Sequence, residues 1–475
     1  MIVSAIFLAT FMAAMEATVI GTAMPTVVSD LGGLELYGWV GAIYMLSSTV
    51  TMPMYGKLAD VLGRKPVMLF GITLFLLGSA GSGLASGMKM LIVMRGVQGL
   101  GAGGIQPISM TILGDLYTPA ERARIQALFG AVWGVAGITG PLLGGIIVHA
   151  LSWRWVFFVN VPFGLLTAVL LLGYRERKEL PSKRPPLDLV GALTLSLFVL
   201  SLLAGARGRW PLLGASLVFL VAFVVAERRH PSPMLPLSLL SRRLIAVSSA
   251  CGTLLGATMS AIVIYVPLYV QAVHQKSATV AGSLVAPMLV GWPIASSISG
   301  RLLLKTGARP LVRVGLVSVA LATLAVDRMV ASDAGLLPLG MAMFVLGVGM
   351  GLANTALLIA VQDSVDFVER GVATASTMFF RTIGGALAIG ILGSMLAAAL
   401  AGKVPESTLD ALLGPEHGKD LDPNLVRSVS GALADGMVPL FHVTAGLGAL
   451  GLGLAIVFPE ARLRAQSSKS TTTGA

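Results

Sequence analysis

Glu16, Arg95, Gln98 and Arg381 are polar residues set inside long apolar runs. A charge in hydrocarbon is expensive unless it is paired or wet, so each defaults to a place in an ion pathway, a relay or a ligand site. A buried carboxyl group can take up and return a proton as its access to water changes, which makes Glu16 a candidate proton carrier. The other reading of Glu16 is a structural acid held by hydrogen bonds. Arg95 keeps its charge and must face protein or water, with Gln98 one turn on along the same helical face. It could stabilise a carboxylate beside a proton site, or fasten one helix to another. Arg381 stands ten residues past Gly371 with no acid in its own run, and carries the same two readings.

Other chemistries find no residues. HExxH, GxSxG and GxxxxGK[ST] are absent, and the five histidines are scattered. The GxGxxG spacings at Gly99–Gly104 and Gly446–Gly451 lie inside apolar runs with no preceding strand, which makes them helix-packing glycines. The single cysteine, Cys251, permits no internal disulfide. No enzyme, metal centre or cofactor is expected, and no ATP motif points to ATP as an energy source.

The elements that position these residues are membrane helices. The chain has 475 residues, of which 55% are hydrophobic and 12% charged, with a mean hydropathy of +0.87. A soluble domain would carry about a quarter charged residues. Repeated apolar runs of about 20 residues define an all-α polytopic membrane protein, here with fourteen expected spans. The net charge of +11 is topological and does not point to nucleic acid, because the basic residues sit in short loops between runs. Residues 2–25 read as a retained first span, lacking the basic leader of a signal peptide. The shortest run, 211–226, is about 24 Å long as a helix.

Gly56–Pro66 (GKLADVLGRKP) is a charged island between two runs, and its cations assign it to the cytoplasm. It recurs as Gly300–Pro310 (GRLLLKTGARP), with two glycines and the proline at the same spacing. Two six-helix bundles are therefore expected, at residues 1–173 and 244–458. Residues 174–243 link them and insert two further spans, 188–206 and 211–226. Residues 459–475 form a tail. Counting Lys and Arg by loop puts both termini in the cytoplasm. The long external loop 401–436 is acidic, and Pro423–Ala434 within it is expected to form a surface helix.

These motifs resemble the major facilitator superfamily, specifically its fourteen-helix drug:proton antiporter branch, over nearly the whole chain. Gly56–Pro66 looks like the family's loop between helices two and three. Arg95–Gly103 resembles its fourth-helix motif, and Gly140-Pro-Leu-Leu-Gly144-Gly145 its fifth-helix antiporter motif, with Ala136 where a glycine usually stands. Glu16–Pro25 is similar to the first-helix motif, with glutamate in place of the more frequent aspartate. Gln362-Asp-Ser-Val and Gly371…Arg381-Thr-Ile-Gly-Gly are family-like in the second half.

The resemblance implies a major facilitator fold in the plasma (inner) membrane. It implies proton-coupled export of amphipathic, drug-like compounds by alternating access, driven by the proton gradient without a cofactor and carried out by a monomer. Glu16 and Arg95 would couple protons. Gly56, Asp60, Gly63, Arg64, Lys65 and Asp115 would latch the bundles at the cytoplasmic side. Gly137, Gly140, Pro141, Gly144 and Gly145 would form a smooth, bent seam. Gln98, Trp133, Met259, Tyr265, Tyr269, Gln271, Trp292, Asn354 and Arg381 are candidates for the substrate cavity, which needs apolar walls with a few polar and aromatic groups. Two alternatives stay open at this point: an exporter of one endogenous metabolite or lipid, and a membrane receptor or assembly protein that moves nothing.

Overall fold

A computed structural model of the chain describes residues 2–33, 36–174, 176, 186, 188–206, 208–276, 278–332, 335–402 and 423–460. The Ser/Thr-rich tail and most of the acidic loop lie outside the described residues. So do the side chains of Trp133 and Pro141 and the surroundings of Gly137, although all three belong to a helix.

The regular elements among the described residues are all helices. In chain order the helices are α1 (Ile2–Leu31), α2 (Tyr37–Leu62), α3 (Arg64–Gly83), α4 (Met88–Leu116), α5 (Pro119–Ala150), α6 (Trp155–Phe158), α7 (Asn160–Leu172), α8 (Leu189–Ala206), α9 (Pro211–Arg229), α10 (Leu237–Leu240), α11 (Arg243–Ala272), α12 (Ala278–Ser283), α13 (Ala286–Thr306), α14 (Ala308–Ala331), α15 (Leu336–Ser364), α16 (Arg370–Leu400) and α17 (Pro423–Val457). By length and composition, 11 of the helical stretches could cross a membrane. The expected count of fourteen is therefore not reproduced by this measure. Glycine, serine and threonine dilute the apolar content of α2 and α4, and Arg95 adds to this in α4. The short run expected at 211–226 extends through Arg229 and reaches 19 residues. Pro423–Ala434 is not a separate surface helix, because α17 runs unbroken from Pro423 to Val457.

Local signals set the boundaries. Thr118 and Glu121 form a capping box ahead of α5, with Pro119 in the first turn. Satisfying two of the otherwise orphaned N–H groups fixes where that helix begins. The repeated island is repeated in geometry. Gly63 (φ 101°) separates α2 from α3, and Gly307 (φ 75°) separates α13 from α14. Side chains other than hydrogen strain such a backbone, which is why the glycine spacing recurs.

Packing follows the order of the chain. In the first part α2 and α3 pack on α4, and α1 packs on α5 and α7; in the second, α13 and α14 pack on α15, and α11 packs on α16 and α17. One apolar core runs from Cys251 to Phe458. Two others lie among residues 5–174 and 14–157, the first of them also taking in Leu358 and Met378. The two parts meet along α5 with α13 and along α2 with α16, and the α8–α9 pair lies on α16 and α2. Phe70, Leu77, Leu143, Ile146, Leu321 and Leu337 are among many large apolar side chains that remain exposed on the long helices. That is the surface a bilayer would cover.

Candidate functional site

Glu16 and Arg95 are 79 residues apart in the chain and meet as an ion pair between α1 and α4. Glu16 is 3% exposed and Arg95 1%. Arg95 Nη1 donates to Glu16 Oε1 and to Gln98 Oε1 (2.7 Å), and its Nε donates to the Val40 carbonyl (3.3 Å). The guanidinium lies 4.3 Å from the ring centroid of Tyr44, a cation–π contact that covers its apolar face. Glu16 Oε2 accepts from Asn160 Nδ2 (2.6 Å), which also donates to Ser79 Oγ (3.0 Å); Ser79 in turn donates to the Phe157 carbonyl (2.8 Å). Both carboxylate oxygens are thus engaged, which is what makes a buried ion tolerable. Asn160, Ser79 and Tyr44 were not legible as site residues. The available signal for Asn160 was one amide in the apolar stretch Phe157–Phe163, where the helix is interrupted at Val159 between α6 and α7.

The second constellation lies at the Gly56–Pro66 island and ties the two parts of the chain together. Arg64 is 1% exposed and bridges Asp60 (2.9 Å) and Asp115 (3.0 Å). It also donates to the Phe367 carbonyl (2.7 Å), with that ring 4.3 Å from its guanidinium carbon. Asp60 accepts the backbone N–H groups of Gly371 (3.0 Å) and Val372 (2.8 Å) at the start of α16. A carboxylate at a helix N-terminus meets the positive end of the helix dipole. Arg370 donates to Asp115 Oδ1 (2.7 Å) and to the Gly114 carbonyl (3.1 Å), while Gln362 Nε2 donates to the Met110 carbonyl (3.0 Å).

Gly56 lies against Gly371 and Ala375, so closely that an added Cβ would stand 2.8 Å from the Gly371 oxygen. Glu176 accepts the backbone N–H groups of Arg64 and Lys65, and Lys65 Nζ donates to the carbonyls of Leu172 (2.6 Å) and Tyr174 (3.1 Å). Asp60, Arg64 and Asp115 are therefore brought together, with Arg370, Gln362 and Glu176 as unforeseen members. This end of the molecule is shut. At the other end of α1 and α5, a pocket of about 380 Å³ opens beside Asp30, Trp153 and Arg154.

The expected cavity residues scatter. Gln98 belongs to the Glu16 cluster. Tyr265 and Tyr269 are buried core residues, donating to the carbonyls of Ile389 (3.1 Å) and Val330 (3.5 Å). Met259 and Trp292 are partly buried against the same core, and Gln271 donates to the Pro267 carbonyl (3.4 Å) in its own helix. Asn354 and Arg381 converge, the Arg381 Nη1 donating to Asn354 Oδ1 (3.1 Å). In the α5 strip, Gly140 abuts Thr18 of α1, whereas a Cβ at Gly145 would meet nothing within 4 Å. Gly144 is buried. Among the described residues no group of His, Cys, Asp or Glu could hold a metal ion.

The described residues thus build an all-helical fold with an ion pair buried between α1 and α4 and a charge network at the Gly56–Pro66 island. Residues 6–389 match the family model of the Major Facilitator Superfamily, and the chain belongs to that superfamily. It is a transporter and not an enzyme. It is 35% identical over 415 residues to the multidrug transporter protein MdtP of Bacillus subtilis, covering 83% of this chain and 75% of that one. It is equally 35% identical over 405 residues to multidrug resistance protein 3 of the same organism, covering 83% and 79%. Its fold is similar to that of the human organic anion transporter MFSD10, at a TM-score of 0.65 and 17% identity over 96% of this chain and 98% of that one. That last likeness concerns the fold alone.

Proposed function

We propose that the chain is a proton-coupled antiporter that exports amphipathic, drug-like compounds across the plasma membrane by alternating access. It acts as a monomer of fourteen spans, with six-helix bundles at 1–173 and 244–458, an inserted helix pair between them, and both termini in the cytoplasm. The relatives named for multidrug transport and resistance support the substrate breadth.

The observation that carries proton coupling is the Glu16–Arg95 pair, sealed from water and held by Asn160 and Gln98. A proton arriving at Glu16 neutralises the partner of Arg95 and releases both from a contact that holds α1 to α4. Return of the proton restores it. The Asp60–Arg64–Asp115–Arg370 network supports a latch that closes the cytoplasmic side while the other side is open.

The test is transport in proteoliposomes under an imposed pH gradient, with cationic dyes, neutral drugs and lipids as competing substrates. Substrate-dependent proton movement is expected from the native chain and is expected to vanish in Glu16→Gln. Undiminished proton movement in that variant removes Glu16 from the mechanism. Competition by a single compound only would return the function to a dedicated exporter.

A further inference from the structure

Arg381 is a partly buried cation within α16. Along α16, Gly371 through Phe379 are all buried, and Phe380, Arg381 and Thr382 are the first residues after them that are only partly buried. On α15, Asn354 is the one residue between Gly349 and Gln362 that is not buried, and its Oδ1 accepts from Arg381 Nη1 at 3.1 Å. On α4, only Ala102 and Gln106 are incompletely buried between Gly101 and Gly114.

These three polar side chains share a level. At 1.5 Å per residue, Arg381 stands about 15 Å along its helix from Gly371, Asn354 about 12 Å from Gln362, and Gln106 about 14 Å from Asp115. Gly371, Gln362 and Asp115 all belong to the latched end. Partly accessible side chains of three helices therefore stand at about one height above the latched end, with Arg381 and Asn354 in contact.

The charge at that level is unbalanced. A guanidinium keeps its proton at any physiological pH, and one held inside the membrane calls for a counter-charge or water. Among the described residues, Arg381 makes no ion pair. Three buried acids of α1, α2 and α4 are engaged elsewhere, Glu16 by Arg95 and Asn160, Asp60 by Arg64 and the start of α16, and Asp115 by Arg64 and Arg370. The backbone of α16 at Arg381 is packed tightly on α11, because a Cβ on Gly256 would stand 1.9 Å from the Arg381 carbonyl oxygen. The cation is thus held in place beside Asn354, whose amide group can still donate.

We propose that Arg381, with Asn354 and Gln106 as neutral donors, binds the anionic group of the substrate, so that the transported class is amphipathic organic anions, carboxylates or sulfonates on an apolar body. This deepens the export reading and rests on it for the term substrate. The anion supplies the counter-charge the protein lacks at this level, and bidentate guanidinium–carboxylate geometry fixes its orientation. A cationic amphiphile placed there meets an uncompensated like charge.

Binding and transport test the inference and the export reading separately. The probes are 11-(dansylamino)undecanoic acid, its primary amide, and the analogue ending in trimethylammonium, titrated at pH 8 onto the full chain in lipid nanodiscs against protein-free discs. The carboxylate is expected to bind at least about tenfold more tightly than the amide, the scale of one charge-assisted hydrogen bond, and the trimethylammonium probe most weakly. Arg381→Gln is expected to bring carboxylate and amide within about twofold of each other, and Arg381→Lys to retain part of the preference.

Asn354→Asp changes no size and places an internal carboxylate on Arg381, so it is expected to abolish the preference while amide binding persists. Equal binding of acid and amide by the native chain overturns the proposal, as does a preference that survives both Arg381→Gln and Asn354→Asp. Uptake under a pH gradient is read in parallel: native-chain binding that discriminates the acid without any gradient-driven uptake sinks the antiport reading and leaves the anion site standing.

Discussion

Asp60 Oδ1 accepts the Gly371 N–H at 3.0 Å, so a carboxylate near the end of α2 caps a helix 311 residues further along the chain. The same carboxylate holds Arg64 at 2.9 Å and the Val372 N–H at 2.8 Å. Hydrogen bonds to a charged group contribute about 1.5–3 kcal/mol each. Losing them in Asp60→Ala should shift the balance between latched and parted states by about tenfold or more. Spin labels at Leu116 and Val368, both exposed, straddle this end. The native chain should give a short, narrow distance distribution, and Asp60→Ala should add a longer population. An unchanged distribution would mean that Asp60 does not hold the latch.

The Glu16–Arg95 pair makes a prediction about stability as well as coupling. Both groups are almost fully buried, so removing one partner leaves an uncompensated charge, at a cost of about 3–5 kcal/mol. Glu16→Gln and Arg95→Gln should each lower the melting temperature in detergent. The double variant should melt above the less stable of the two single ones, because neither charge then remains alone. Proton coupling should be absent from all three. Additive losses in the double variant would show that the two residues do not act as a pair.

Much of this site was legible as separate residues and little of it as contacts. Charges inside apolar runs stand out by their expense, so Glu16, Arg95 and Arg381 were visible, as was the recurring glycine spacing that became the positive-φ turns at Gly63 and Gly307. The pairing of Glu16 with Arg95 crosses 79 residues and two helices, and no local pattern records it. Asn160 escaped because one amide barely changes the hydropathy of its run, although it reaches Glu16 at 2.6 Å. Arg370 read as one more loop cation, yet it binds Asp115 at 2.7 Å. The aromatic candidates Tyr265 and Tyr269 followed composition, while their placement depends on which helix face turns inward, and theirs turns into the core.

Glycines that resemble one another in sequence should tolerate alanine very differently. At Gly256 the added Cβ would stand 1.9 Å from the Arg381 carbonyl oxygen, a backbone atom that cannot swing aside, whereas at Gly145 it would meet nothing within 4 Å. Overpacking of this kind costs about 1–3 kcal/mol, and more when backbone must move. Gly256→Ala should lower the yield of folded protein and its melting temperature, while Gly145→Ala should match the native chain within about 0.5 kcal/mol. Size-exclusion profiles and thermal melts of the two variants check this, and the reverse order would contradict the contact between α11 and α16.

Asn160 offers a way to separate holding the carboxylate from neutralising it. Its amide bridges Glu16 Oε2 at 2.6 Å and Ser79 Oγ at 3.0 Å, and its own side chain is buried. Asn160→Ala leaves the Arg95 ion pair in place and strips one hydrogen bond from a buried carboxylate, at a cost of about 1–3 kcal/mol. Its melting temperature should therefore fall by less than that of Arg95→Gln. If the carboxylate works only when oriented on both oxygens, gradient-driven transport should fall in Asn160→Ala while substrate binding in the absence of a gradient is retained. Asn160→Ser keeps a hydroxyl donor but is too short to span both partners, so it should lie between the alanine variant and the native chain in both measurements. Transport at the native rate in Asn160→Ala would mean that Arg95 alone sets the carboxylate, and that Asn160 serves only to close the joint between α6 and α7.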